Sequence, residues 1–163
     1  MQEARIATLQ RMPIFGGMRA DILEFVLDAA AVVSIPAGEY FFRENDKAQS
    51  MFVLEAGVAE VLKSWDGEQY LLGRLQAGDC FGEMALMDLF PRSASVRAAE
   101  ACTTLELSTG IFFLIYERDL EQFALMQMNI GREVSRRLRL ADERLFRARI
   151  EALSMQSDWR VLI

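Results

Sequence analysis

Histidine is absent from this chain of 163 residues. Its absence excludes Ser–His and Cys–His catalysis and every metal site built on imidazole. Only two cysteines occur, Cys80 and Cys102, and they do not form a CxxC pair. This usage is typical of a reducing compartment, and it predicts that both thiols pack as small apolar side chains. We therefore expect no catalytic residue, no metal and no disulfide framework.

Excess positive charge and long apolar runs are also missing. The formal net charge is −6, whereas non-specific binding to nucleic acid or anionic lipid requires positive charge. The N-terminal segment MQEARIATLQRM has no signal-peptide core, and the apolar run 111–116 is too short to span a bilayer. We therefore expect a cytoplasmic protein that binds neither nucleic acid nor membrane. The hydrophobic fraction of 52% is sufficient for one folded domain.

The middle of the chain, from residue 33 to residue 108, alternates turn signals with short apolar runs. The runs YFFR, MFVL, VAEVL, YLLGRL, ASVRA and TTLEL have the length and composition of strands. They are separated by turn-forming segments, which are PAGE, ENDK, EAG, WDGE and QAGD. Short strands at regular intervals predict an all-β barrel or sandwich.

Both ends of the chain have helical periodicity. Residues 3–12 and 20–31 are separated by PIFGGM, and the chain is helical again from residue 109. Residues 119–153 contain no proline and carry an apolar seam that alternates at three and four residues, namely Val134, Leu138, Ala141, Leu145, Ala148 and Ala152. Such a seam packs either on its own domain or on a second copy of the chain, and its periodicity is compatible with both.

The segment FGEMALMDLFPRSASVR, residues 81–97, carries the chemistry of an anion site. Gly82 allows the backbone to approach a ligand closely, because it has no Cβ. The amides after Gly82 begin a helix and favour a negative charge. Glu83 can accept hydrogen bonds from ribose hydroxyls, and Arg92 can hold a phosphate with its charged fork. These residue types predict a pocket for a sugar phosphate.

The sequences FGEMAL and PRSASV resemble the phosphate-binding cassette of the cyclic nucleotide-binding domain family, including the spacing from Glu83 to Arg92. The family includes catabolite activator proteins, cyclic-nucleotide-dependent kinases and gated channels. The resemblance implies a single mainly β domain over residues 1–163. Its centre would be an eight-stranded antiparallel, jelly-roll-like β-roll (a double-stranded β-helix). The expected segments are N-terminal helices 1–32, roll 33–108 with cassette 81–97, C-terminal lid helices 109–153 and tail 154–163.

One position departs from the family pattern. In the turn ENDK, family members often have glycine before the aspartate, and this chain has Asn45. Asparagine tolerates the left-handed backbone conformation better than most residues. We therefore expect the turn to form.

The resemblance also implies which residues hold the ligand. Glu83 would bind the ribose 2′-hydroxyl, and Arg92 would bind the cyclic phosphate together with the backbone amide of Ala94. The alternatives are a helix-start carboxylate for Glu83 and a surface arginine for Arg92, and the cassette context favours the ligand roles. The complete implied phosphate and ribose set is Gly82, Glu83, Met84, Arg92, Ser93 and Ala94.

Residues implied to contact the purine are Val61, Leu72, Leu75, Ser93 and Asp142. Val61, Leu72 and Leu75 serve equally well as ordinary core. Ser93 permits both adenine and guanine. Asp142 can accept from the guanine N1–H and amino group, or can simply be exposed on a charged helix face. The base therefore stays open between cAMP and cGMP.

The functional hypothesis is a bacterial cyclic-nucleotide sensor without catalytic activity. Ligand binding would draw the cassette inward and move the helices after residue 110. The movement would then reach a dimer partner, through the C-terminal helix, or a fused output domain. An alternative hypothesis is a domain of the same fold that has lost its ligand and serves as a dimerisation or docking module. A phosphodiesterase is disfavoured by the missing histidines.

Overall fold

A computed structural model describes the backbone of residues 2–161 and the side chains of residues 3–155. The chain divides into two compact units, residues 1–130 and residues 131–163. The first unit holds all the strands of the described chain, so we describe it first.

Two short helices open the first unit. Helix α1 spans Gln2–Leu9 and helix α2 spans Ala20–Ala29, with a 3₁₀ turn at Pro13–Phe15 between them. Proline is favoured at the first position of such a turn because that position needs no N–H donor. On the apolar face of α2, Ile22, Leu23 and Val26 are buried, whereas Phe25 and Leu27 are partly exposed.

Eight strands form two antiparallel four-stranded sheets, with strand orders β1-β8-β3-β6 and β2-β7-β4-β5. This arrangement confirms the predicted jelly-roll-like β-roll with flanking helices. The strands are β1 Ala31–Ile35, β2 Tyr40–Phe42, β3 Ser50–Ala56, β4 Ala59–Trp65, β5 Glu68–Leu75, β6 Cys80–Phe81, β7 Ser95–Ala98 and β8 Cys102–Ser108.

The core of the roll lies between the two sheets. One cluster joins Phe52, Leu54, Phe81 and Cys102 of the first sheet to Ala59, Leu75, Val96 and Ala98 of the second. Both cysteines are buried and neither forms a disulfide, which confirms their predicted packing. Burial raises the pKa of the Cys102 thiol, so this sulfur has little thiolate character.

Asn45 occupies the turn that follows β2. Its φ angle is +71°, so the expected left-handed conformation forms without glycine. The Asn45 N–H donates to the carbonyl of Arg92 at 2.9 Å, and the Arg92 N–H donates to the carbonyl of Asp46 at 2.9 Å. The turn therefore fixes the backbone of Arg92 from both sides.

Two helices follow the roll. Helix α4 spans Thr109–Arg118, and helix α5 spans Leu120–Val161. Buried polar side chains tie the start of α5 to the N-terminal helices. The Gln122 carbonyl oxygen accepts from the N–H of Arg19 at 2.8 Å, and Asn129 donates to the carbonyls of Ile14 and Gly16 at 3.1 and 2.9 Å.

Helix α5 extends through Val161 rather than ending at residue 153, where the sequence suggested a separate tail. The stretch beyond residue 153 contains neither proline nor glycine, so nothing in it stops the helix. Among the helices that the structure describes, none combines the length and apolar character needed to cross a membrane.

The second unit consists of the part of α5 from residue 131 onward. Every described side chain from Leu138 through Met155 is exposed. Local ion pairs support the helix, with Arg136–Glu133 at 2.7 Å and Arg147–Glu143 at 2.9 Å. These pairs follow the predicted pattern of a charged helix surface.

Candidate functional site

The site begins at Gly82, directly after strand β6 ends at Phe81. The φ angle of Gly82 is +81°, and a Cβ atom there would lie 2.6 Å from Nη1 of Arg92. Both the conformation and the close approach therefore require glycine. Glu83 returns to helical geometry and precedes α3, a single turn at Met84–Met87.

Arg92 is the most buried cation in the cassette, with only 5% of its surface exposed. Its Nη1 donates to the carbonyl of Gly82 at 2.8 Å, and its Nη2 donates to the carbonyl of Ser50 at 2.7 Å. Its Cζ atom lies 4.0 Å from the ring centroid of Phe42. Two hydrogen bonds and one aromatic face therefore fix the guanidinium plane.

The electrostatics of Arg92 favour a bound anion. Burial lowers the pKa of its guanidinium. The nearby carboxylates of Asp46, Glu106 and Glu83 partly oppose that effect. Arginine starts from so high a pKa that the side chain stays charged. Its Nε atom is buried and has no hydrogen-bond partner among the described residues. A buried cation with an unused donor is costly alone and is stabilised by an anionic acceptor.

The C-terminal end of the cassette is held by a second cation. Lys63 on β4 donates through Nζ to the backbone carbonyl of Ser93 at 2.7 Å and to Oε1 of Glu44. Oε2 of Glu44 accepts from the N–H of Ser64 at 3.0 Å. The hydrogen bond from Lys63 is the main reason why the pKa of Glu44 lies below its usual range.

The remaining predicted cassette residues differ in exposure. Ala94 is buried at 8% exposure, whereas Met84 is 48% exposed. The Ser93 side chain is exposed, and its hydroxyl oxygen lies 4.0 Å from the sulfur of Met84. Thus the structure brings the backbone of Ser93 and Ala94 close to Arg92, while the Ser93 hydroxyl faces solvent.

Glu83 borders a cavity beside the cassette. Its side chain is buried at 3% exposure and borders a cavity of about 400 Å³ between α3, α4 and the start of α5. The cavity wall is otherwise mainly apolar and aromatic, and includes Met51, Met87, Phe112, Phe113, Tyr116 and Phe123. Sequence reasoning did not anticipate this cavity.

The residues predicted to contact the purine fall into three environments. Leu75 belongs to the roll core, and Val61 packs against it. Leu72 is half-exposed, beside the irregularity where β4 and β5 shift register between Val61 and Leu62. Asp142 is an exposed residue of the second unit. Their contact with a purine stays a prediction.

Three contributors to the site were missed by sequence reasoning, namely Phe42, Ser50 and Lys63. Ser50 acts through its carbonyl, which leaves no signal in residue type. Lys63, which precedes Ser93 by 30 residues, is an ordinary surface residue until the fold is known. The paired phenylalanines at 41 and 42 were an available signal, because two adjacent large side chains in a short strand interrupt the alternation of faces.

The two-sheet roll, the glycine turn and the buried arginine define a ligand-binding domain for a small anionic molecule. The chain belongs to the cyclic nucleotide-binding domain family, because a family model described as "Cyclic nucleotide-binding domain" matches residues 32–119, more than half of its length. The family is one of regulatory domains rather than of catalysts.

Individual relatives agree with this assignment. A cAMP-dependent protein kinase regulatory subunit from Emericella nidulans is 36% identical over 92 residues, covering 56% of this chain and 22% of the relative. The catabolite activator protein of Thermus thermophilus has a similar structure, with a TM-score of 0.72 and 28% identity. The match covers 82% of this chain and 61% of that one. The regulatory domain of Toxoplasma gondii PKA, solved with cAMP, has a TM-score of 0.64 and 29% identity. The match covers 70% of this chain and 44% of that one. The chain thus spans less than two thirds of each of them.

Proposed function

We propose that this chain binds a 3′,5′-cyclic nucleotide, with cAMP as the first ligand to test, and acts as a regulatory sensor. The observation that carries the proposal is the buried guanidinium of Arg92, whose Nε has no partner among the described residues. A cyclic phosphate carries one negative charge and several acceptor oxygens. It therefore supplies an opposite charge for the guanidinium of Arg92 and an acceptor for its Nε.

The neighbouring residues supply the rest of the proposed pocket. Gly82 leaves room for the sugar, and the backbone amides of Met84 and Ala94 can donate to phosphate oxygens. Glu83 would accept from the ribose 2′-hydroxyl, which requires the ligand or the cassette to reach its buried side chain.

The purine would pack along the roll. Val61 and Leu75 offer apolar surface at the edge of the core, and Leu72 offers exposed apolar surface beside them. The relatives named for cAMP favour adenine as the base. Asp142 would favour guanine if it met the base, because a carboxylate accepts from N1–H and N2–H₂ together. Ser93 is compatible with both bases.

Signalling would proceed by a shift in helix populations. The cassette helix α3, helix α4 and the start of α5 share the cavity beside Glu83, so inward movement of the cassette changes the packing of the two longer helices. Gln122 and Asn129 bond the start of α5 to the N-terminal helices. These segments would therefore move together.

The second unit would pass the signal to another copy of the chain or to a fused output domain. Its seam is exposed at Leu138, Ala141, Leu145, Ala148 and Ala152, which favours an intermolecular contact over packing within the domain. A seam that alternates at three and four residues fits a parallel helix pair with two-fold symmetry.

A second candidate function is a docking module without ligand. The observation in its favour is that two Arg92 donors already bond to protein carbonyls, those of Gly82 and Ser50. In that case Arg92 would stabilise the cassette rather than recognise a phosphate. The two candidates predict opposite results in a titration.

The test is calorimetric titration of the full chain with cAMP and cGMP. Wild type is compared with Arg92→Ala, with Arg92→Lys as a milder variant that keeps the charge, and with Arg74→Ala, an exposed arginine on β5, as the matched control. We expect Arg92→Ala to lower affinity at least about tenfold, Arg92→Lys to fall between, and Arg74→Ala to bind as wild type does.

Amide hydrogen exchange on the same samples tests the proposed movement. Ligand should change protection in α3, α4 and the first turns of α5, while strands β3 and β8 stay unchanged. Equal binding by wild type and Arg92→Ala would contradict the role of Arg92. No heat with either nucleotide would favour the docking module.

A further inference from the structure

The end of strand β2 places two phenylalanines on the same side of the sheet. Pairing of β2 with β7 shifts register between Tyr40 and Phe42. As a result, two consecutive side chains contact the same pair of core rings, Phe52 and Phe81. Regular strand geometry would have sent them to opposite faces. Phe41 and Phe42 therefore pack against the same two core rings.

Of these two phenylalanines, Phe42 is the one whose ring also contacts Arg92. The Cζ atom of Arg92 lies 4.0 Å from the centroid of its ring, a distance at which the negative face of the ring attracts the cation. The same ring approaches the cassette glycine, because a Cβ on Gly82 would meet Phe42 Cε1 at 3.4 Å. The ring thus contacts the guanidinium and the turn that leads to it.

We propose that Phe42 is a positioning residue for the ligand phosphate, because its ring holds the guanidinium plane of Arg92 in place before the ligand arrives. The proposal rests on the proposed function. The carbonyls of Gly82 and Ser50 fix two nitrogens of the guanidinium, and Phe42 covers the plane itself. These restraints leave the buried Nε as the guanidinium nitrogen that has no partner among the described residues.

The energetic role of Phe42 is preorganisation. An arginine side chain loses rotamer freedom when it binds a ligand, and that loss is smaller if the side chain is already held. A leucine at position 42 fills similar space but has no negative ring face. Replacement of the ring should therefore weaken recognition of the phosphate more than it disturbs the fold.

The adjacent phenylalanine offers a matched control for the experiment. Phe42→Leu and Phe41→Leu each remove one ring from contact with Phe52 and Phe81, and only Phe42→Leu removes the ring from Arg92. Calorimetric titration of the full chain with cAMP and cGMP should show an affinity about fivefold lower for Phe42→Leu. Phe41→Leu should stay within about twofold of wild type. Phe42→Met and Phe41→Met replace the leucine pair if either fails to fold.

A double variant separates positioning from general packing. In an Arg92→Met background the cation that the ring attracts is gone, so Phe42→Leu should change affinity by less than about twofold. An equal loss in both arginine and methionine backgrounds would overturn the proposal, as would equal losses in Phe42→Leu and Phe41→Leu while wild type binds. Absence of binding to wild type would instead overturn the proposed function, and the role of Phe42 with it.

Discussion

The two units of this chain differ in how they use leucine. In the first unit, Leu105 and Leu107 on β8 are completely buried among side chains from other elements. In the second unit, Leu138 and Leu145 are 60% and 69% exposed. Isolated helices are marginal in water, and exposed apolar residues in a regular series mark a contact surface. The first unit thus contains its own stabilising core, and the exposed leucines of the second unit are the reason for proposing a contact with a partner.

The largest expected effect is a truncation that opens the roll core. Leu105→Ala should lower the free energy of unfolding by about 2–5 kcal/mol, since it removes a fully buried side chain and leaves a cavity. Leu145→Ala, at a concentration where the chain is monomeric, should change it by less than about 0.5 kcal/mol. Urea denaturation followed by circular dichroism measures both. Similar losses would mean that the second unit is part of the folded core.

A smaller effect is expected on self-association. Replacing Leu138 and Leu145 together with glutamine removes two seam residues from each copy, so the dimer dissociation constant should rise at least about tenfold. The matched control is the double variant Leu140→Gln and Ile150→Gln, which changes exposed apolar residues of the same helix outside the seam. Sedimentation velocity over a concentration series measures the constant. A wild type that stays monomeric throughout would contradict the proposed dimer.

Most of the fold followed from local signals. Glycine-rich and asparagine-containing turns at short intervals predicted the strands of the roll, and Asn45 adopted the left-handed conformation that its turn demands. Strands β1 and β6 were not predicted. Strand β1 begins at Ala31, within the range assigned to a helix, and the two residues of β6 are too few to show a period. Helix α5 continues into the predicted tail, because no proline or glycine after residue 153 stops it.

The candidate site was predictable only in its own segment. Gly82, Glu83 and Arg92 lie close in sequence, so their spacing carried the signal. The partners of Arg92 come from distant segments, and the carbonyl of Ser50 is identical in kind to every other carbonyl. The register shift that turns Phe42 towards Arg92 depends on pairing with β7. Such contacts arise from tertiary packing, which a single sequence does not reveal.

The smallest expected effect compares two ion pairs. The first unit pairs Glu44 with Lys63 across separate elements, while the second pairs Glu143 with Arg147 one helical turn away. The long-range pair joins segments that are apart in the unfolded chain, whereas local pairs of this kind contribute little. We expect Glu44→Gln to lower Tm at neutral pH more than Glu143→Gln does.

The pH dependence tests the first pair directly. Lys63, followed by the N–H of Ser64, lowers the pKa of Glu44 from its ordinary value of 4.5 in the folded state, so the unfolded chain binds the proton more readily. The contribution of Glu44 is therefore present above that value and is lost as the pH falls through the lowered pKa. The Tm gap between wild type and Glu44→Gln should close over that range. A gap that stays constant would mean that the loss comes from packing of the side chain rather than from its charge.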